Sequence, residues 1–458
     1  MKATKIIGAV ALAISASGGA FAHEGDAPRG VPELDHVFVV MMENHSFAQI
    51  MGNPNEAYLN SLITSGRVSY AKNYYGIGHP SLTNYLETVG GSNFGVRSDH
   101  DPDWHNGACV TNLHTGIPNA DNSANAAPYK IDPGKVCPIA GTGTDAATES
   151  IDSWNEVVGG YLANIDGVKS LPAKANIDGK TIADQLMHHG KSWKSYQESL
   201  PFAGADNVTY SNGTVTNTSA ALAGLPNIGN LPGTLVNPPD AQPYGIPSGY
   251  LKLYAAKHNP FVYFKSVQED PQALDNVVPF DGANGLYADL ARGTVPDFSF
   301  IAPNQCNDQH GRGNGDSFCS YDNANNGTPI GLNPGLIAQG DATIQRIVES
   351  IKASPAWAEG RNAIVVVWDE NDYSGVSALN ANGSYPASIV INNTTFPAPT
   401  NSVLVTVETN YRVSPNVASN RYYNHFSLLK TVEAALGLPC LNHACDKDVN
   451  VMSDLFAR

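Results

Sequence analysis

Apolar positions along this chain gather into short, dense runs set between long polar stretches. Six runs are rich in β-branched or aromatic residues: His36–Met42, Ser192–Tyr196, Phe261–Phe264, Phe298–Ala302, Ala363–Trp368 and Ser402–Val407. Runs of that length and composition predict strands. Helix signals lie between them. Thr181–His189 stops at Gly190, Asp341–Ala353 is amphipathic with an acidic start, and Ser427–Leu436 stops at Gly437. Strands alternating with helices predict an α/β fold, a largely parallel central sheet sandwiched by helices.

Two stretches break the rhythm. Asp99 to about Leu171, and Asn207 to Ser248, are rich in Asn, Gly, Pro and Ser and carry little periodicity. We read them as long irregular insertions, about 99–171 and 207–248, in a single domain spanning 23–458. They form either a cap over the site or surface elaboration. The start of the chain has a different character. Lys2 and Lys5 precede an apolar run from Ile6 to Ile14, and small residues follow, ending in Ala20-Phe21-Ala22. That order predicts a signal peptide, 1–22, and export to the periplasm or the medium. No run is long enough to cross a bilayer.

The formal net charge is −16, and loss of Lys2 and Lys5 makes it two units more negative. An acidic surface argues against nucleic acid and anionic membrane as main partners. An anionic substrate then needs a local positive charge, such as a metal ion. Six cysteines, an even number in an exported chain, predict disulfides, with short-range pairing 109–137, 306–319 and 440–445 the simplest. Asn207, Asn212, Asn217 and Asn392 begin glycosylation sequons, which an Asn-rich sequence also produces by chance.

In a parallel sheet, ligands bind beyond the carboxyl ends of the strands. Glu43 and Asn44 follow the first predicted strand; Asn304, Asp308 and His310 follow Phe298–Ala302; Asp369 and Glu370 follow Ala363–Trp368, with Asp372 just beyond. Carboxylates gathered at one edge repel unless a cation sits among them, so the pattern predicts a metal site. Glu43-Asn44 alone is more often a helix cap than a ligand pair. The run Gly78-His79-Pro80-Ser81-Leu82-Thr83-Asn84-Tyr85 predicts a tight turn that presents the Ser81 hydroxyl at the start of a helix, where free N–H groups favour an anion. Taken alone it is also an ordinary turn and cap. His425, in Tyr423-Asn424-His425-Phe426-Ser427, stands at a helix start that disfavours its cationic form, suiting metal or proton-transfer work or a buried cap.

These motifs together resemble the bacterial and fungal phosphoesterase family of acid phosphatases and non-haemolytic phospholipases C. The matching runs are Met42-Glu43-Asn44-His45-Ser46-Phe47, His79 to Tyr85, Phe300 to Asn304 with Asn307 to His310, Trp368 to Asp372, and Asn424 to Thr431. The resemblance implies an alkaline-phosphatase-like fold. It implies metal binding by Glu43, Asn44, Asp369 and Glu370 together with Ser81. It further suggests contacts to the phosphoryl group or metal by His310 and His425, with His79 and Asp308. Thr406 to Thr409 departs from the Ser-Pro-like strand end of relatives, which puts contacts near the leaving group in question. Hard oxygen ligands admit Ca, Mg or Mn, and imidazoles admit Zn or Fe. The expected activity is an acid phosphatase acting on phosphomonoesters through a phosphoserine at Ser81, with His310 and His425 moving protons and Asn84 holding a non-bridging oxygen. A phospholipase C acting on a phospholipid headgroup is the alternative, and a secreted binding protein with an inactive site is the alternative of another class.

Overall fold

The computed structural model describes residues 24–78, 81–94, 177, 179–200, 254–268, 270–311, 334–371, 388–391, 394–397, 401–411 and 416–456. The expected signal peptide, both expected insertions, His79, and the 109–137 cysteine pair lie outside them.

The strands are β1 (His36–Met42), β2 (Ser69–Tyr75), β3 (Trp193–Gln197), β4 (Val277–Pro279), β5 (Phe298–Ala302), β6 (Asn362–Trp368), β7 (Ser388–Ile391), β8 (Thr394–Pro397), β9 (Val405–Thr409) and β10 (Ala418–Asn424). Eight form one sheet in the order β10-β2-β9-β6-β1-β5-β3-β4, and β7 pairs separately with β8. Every pairing in the large sheet is parallel except the two made by β9. This is an α/β fold. The successive residues of β6 are all buried, as are six of the seven in β1. Side chains alternate between faces, so both faces of the sheet centre are covered.

The principal helices are α1 (Ala57–Thr64), α2 (Ser81–Gly90), α3 (Ile182–His188), α4 (Leu286–Arg292), α5 (Pro334–Ala353) and α6 (His425–Leu436). They pack in two groups: α2 against α3 and α6, and α5 against α1 and α4. Among the described residues, none of the helices is long and apolar enough to cross a membrane.

Three expectations about elements need correction. Phe261–Phe264 is not a strand: Pro260–Tyr263 is a 3₁₀ turn with Pro260 at its first position, where a fixed φ favours a helical start. Its aromatic residues fill the core, with Phe261 against both Trp193 and Phe300, which is why an apolar run alone could not tell strand from turn. The sixth strand begins at Val405 rather than Ser402, because Ser402 makes only an isolated bridge to Tyr75. The helix expected from Asp341 begins at Pro334.

Because β9 is antiparallel, its carboxyl end lies at the opposite edge from those of its neighbours. Thr409 pairs with Ala363 near the start of β6. The departure at Thr406 to Thr409 is therefore remote from the edge where the chemistry gathers. The Cys440–Cys445 disulfide is present. Cys306 is also disulfide-bonded, and Cys319 falls outside the described residues.

Candidate active site

The carboxyl ends of β1, β6, β5, β2 and β10 deliver Glu43, Asp369, the turn after Ala302, the Ser81 turn and His425 to one edge of the sheet. Adjacent parallel strands bring the first two together. β1 and β6 are in register from His36–Asn362 to Met42–Trp368, so Glu43 and Asp369 leave the sheet side by side. The Asp369 N–H donates to Met42 O at 3.0 Å, and the Asn44 N–H donates to Asp369 Oδ1 at 2.9 Å. Asn44 can aim its N–H there because it is left-handed, φ 60°, a conformation asparagine tolerates better than most residues.

Ser81 is the first residue of α2 and is buried. Its Oγ lies 3.0 Å from Glu43 Oε2 and 3.0 Å from Glu370 Oε1. A hydroxyl carries one proton, so it serves one carboxylate at a time while its lone pairs face the other. Asn84, one turn along, shapes the loop before it. Its Oδ1 accepts from the N–H groups of Ile77 (2.9 Å) and Gly78 (3.1 Å). Its Nδ2 donates to Gly78 O (3.0 Å) and Glu370 Oε2 (3.1 Å). Asn401 ties the same loop to the segment after β6: Nδ2 donates to Gly78 O at 3.0 Å, and Oδ1 accepts from Asn371 N at 2.8 Å.

The turn after β5 carries Asp308 and His310. Glu198, at the end of β3, holds it from below: both carboxylate oxygens accept from Asn307 Nδ2 at 2.8 Å, and Oε2 accepts from Asn304 N at 3.0 Å. The Glu43 N–H donates to Asp308 O at 2.9 Å, joining this turn to β1. His258, stacked on the Tyr85 ring at 5.3 Å and 8°, lies between the two carboxylates. Its Nε2 is 3.1 Å from Glu43 Oε1 and its Nδ1 is 3.0 Å from Asp308 Oδ2. These four atoms approach closely, yet none has the alignment of a hydrogen bond.

Burial dominates the electrostatics. Burial, then Asp369, raises Glu43 well above the usual carboxylate range; burial and Glu370 raise Asp369, and burial and Glu43 raise Asp308. Burial, then Lys257, lowers both His258 and His310. The site thus holds neutral imidazoles beside carboxylates that repel one another. Ligand atoms of Glu43, His258 and His310 lie within 4.8 Å of one another. Glu43 Oε1, Asp308 Oδ2, Asp369 Oδ2 and both His258 nitrogens are buried without a hydrogen bond. Such a mixed oxygen and imidazole set fits a divalent cation, which would engage the carboxylate oxygens together with one His258 nitrogen and offset the repulsion.

Residues 58–320 and 333–439 match the model of the phosphoesterase family. The chain belongs to the phosphoesterase family. Two named relatives and one solved structure extend the comparison. A phosphatidylinositol-3-phosphatase of Mycobacterium tuberculosis is 23% identical over 448 residues, covering 97% of this chain and 91% of that protein. An acid phosphatase of Aspergillus fumigatus is 28% identical over 153 residues, covering 33% of this chain but only 26% of its own length. A solved protein of the alkaline phosphatase superfamily from Vibrio parahaemolyticus shares 10% identity at a TM-score of 0.42, covering 95% of this chain and 73% of its own. Membership in the family makes the protein a hydrolase of phosphoric esters.

The structure brings Glu43, Asn44, Ser81, Asn84, Asp308, His310, Asp369, Glu370 and His425 to the same edge. His425 is committed on both ring nitrogens, Nδ1 to the Tyr74 hydroxyl at 2.9 Å and Nε2 to the backbone oxygen of Asp369. Its ring is therefore tied to Tyr74 and to the backbone of Asp369. Sequence reasoning missed His258, Lys257, Asn401 and Glu198. His258 and Lys257 precede a run that reads as a strand, which hides them from a search of strand carboxyl ends. Glu198 stands just past Ser192–Tyr196 and Gln197, so its place at the end of that strand was a signal the sequence did offer.

Proposed function

We propose that the protein is an exported, metal-dependent acid phosphatase that hydrolyses small phosphomonoesters through a phosphoserine at Ser81. The observation that carries this reading is the Ser81 hydroxyl, 3.0 Å from a carboxylate oxygen on either side. A divalent cation held by Glu43, Asn44, Asp308, Asp369 and Glu370, with His258 beside them, supplies Lewis acidity that eases loss of the serine proton and offsets phosphoryl charge.

Ser81 passes its proton to Glu43 or Glu370 as Oγ forms the bond to phosphorus and the bond to the leaving oxygen breaks, the departing alkoxide taking a proton from solvent. The oxygen of a water then bonds to phosphorus and gives a proton to solvent, while the P–Oγ bond breaks, the carboxylic acid returns its proton to Oγ and inorganic phosphate leaves. Asn84 and Asn401 keep the loop before Ser81 in place, so the hydroxyl meets phosphorus with its orientation already set. His425 fixes the Asp369 backbone. The names of the acid phosphatase and phosphatidylinositol-3-phosphatase relatives support monoester substrates.

The test is hydrolysis of p-nitrophenyl phosphate and p-nitrophenyl phosphorylcholine from acidic to alkaline pH, before and after chelation. Chelator-sensitive release of phosphate from the first is expected. Preference for the choline ester would move the protein to phospholipase C chemistry, and turnover of neither by folded, metal-loaded protein would contradict the reading.

A further inference from the structure

Lys257 is 2% exposed, an unusual place for an ammonium. It stands in the 3₁₀ turn Ala256–His258, which packs against α2, the helix that begins with Ser81. Its Nζ lies 3.0 Å from His310 Nε2. The other nitrogen of that ring, Nδ1, lies 2.8 Å from Gly311 O. A carbonyl oxygen only accepts, so Nδ1 carries the hydrogen and Nε2 offers its lone pair to the ammonium. Both nitrogens of His310 are thereby engaged. The third corner of the Glu43, His258 and His310 cluster already faces a positive charge supplied by the chain itself.

That placement has a consequence for phosphoryl transfer. Charge spread over the oxygens of the transferring group is commonly met by two cations, or by one cation and a basic side chain. Here the His310 ring that Lys257 touches also places a ligand atom within 4.8 Å of those of Glu43 and His258, so the ammonium stands beside the carboxylate cluster. A lysine ammonium is a compact point charge with three donors, and one of them serves His310. We propose that Lys257 is a substrate-contacting residue, its ammonium held by His310 as the second positive charge of the site and bound to a non-bridging oxygen of the phosphoryl group beside a single divalent cation. The proposal rests on the phosphoesterase reading of this site. It gives His310 a positioning role, acting through Lys257.

The experiment uses the full chain loaded with Mn²⁺ and compares wild type with Lys257→Met, Lys257→Arg and Ser81→Ala. It reads Mn²⁺ stoichiometry and affinity, binding of inorganic phosphate by calorimetry, and turnover of p-nitrophenyl phosphate. One Mn²⁺ per chain is expected in wild type and in both Lys257 variants. Lys257→Met should hold Mn²⁺ at least as tightly as wild type, because a neighbouring like charge is gone. Its affinity for phosphate should fall by a factor of about 30 or more, the usual cost of removing one partner of a buried charge pair. Lys257→Arg should recover part of that loss. Unchanged phosphate affinity in metal-loaded Lys257→Met would overturn the proposal, as would loss of Mn²⁺ together with phosphate, or two Mn²⁺ per wild-type chain. Ser81→Ala separates the two readings. If it keeps full turnover, the Ser81 scheme fails while the phosphate measurement still decides the role of Lys257.

Discussion

His425 sits in contact with two groups that leave its ring no freedom, the Tyr74 hydroxyl and the backbone oxygen of Asp369. Burial lowers it to about 4. A histidine lowered in the folded state adds stability above its unfolded value, and that contribution is lost as pH falls from 6.5 toward 4. We therefore expect its ring resonances to show no titration above about pH 5.5 when followed by NMR. A midpoint near the ordinary histidine value would contradict the burial seen here. Glu43 illustrates the opposite sign. Burial and Asp369 raise it, so metal-free protein is strained once Glu43 must ionise. Glu43→Gln should raise the thermal midpoint of chelated protein at pH 8 while lowering phosphatase turnover by about two orders of magnitude or more, as expected when a group facing the nucleophile is lost. Calorimetry and initial rates on the same preparation check both halves.

At the scale of elements, the Ser81 helix is gripped at both ends. Asn84 and Asn401 hold the loop before it. Its far end meets the loop closed by Cys440–Cys445: Asn442 Nδ2 donates to Gly90 O at 2.7 Å, and the His443 N–H donates to Gly91 O at 3.0 Å. Gly91 has φ 69°, and a Cβ there would lie 2.5 Å from Leu441 O. Gly91→Ala should thus destabilise the fold by about 1–3 kcal/mol, read by urea denaturation, with backbone conformation and close contact both contributing. A change within experimental error would mean that the grip is loose. Elements of this kind also show how much of the fold is legible in the sequence. β1 and β5 are readable to the residue because they are dense apolar runs, buried except at His36. β2 and β10 escape because Ser69–Tyr75 and Ala418–Asn424 carry polar residues through partly exposed positions. The acids of the site are legible because they stand at or just beyond the carboxyl ends of apolar strand runs. His258 and Lys257 are not, because a 3₁₀ turn, rather than a strand end, presents them.

Across the whole molecule, the buried carboxylates set the pH behaviour. Glu43, Asp308, Asp369, Glu56 and Glu433 are all raised well above their ordinary value, chiefly by burial, and burial pushes Glu198 up to about 7. Groups raised in the folded state add stability below their unfolded values and lose it as pH climbs through the folded ones. The lowered histidines act in the other direction, but only below 6.5. Above that value nothing among these groups offsets the carboxylates. The melting temperature of chelated protein should fall between about pH 6.5 and 8.5, and excess Mn²⁺ should flatten the slope by favouring the ionised acids. A chelated protein equally stable across that range would show that the carboxylates are not repelling one another. The same convergence of strand ends that creates this strain places Ser81 among the acids, where its hydroxyl can be activated.

The most direct measurement is an acid quench of metal-loaded protein during turnover of p-nitrophenyl phosphate, followed by peptide mapping with mass spectrometry. The account predicts phosphate on the peptide beginning the α2 helix, at Ser81, and neither phosphorylation nor turnover in Ser81→Ala. Full turnover by Ser81→Ala, or a phosphorylated residue elsewhere, would contradict it.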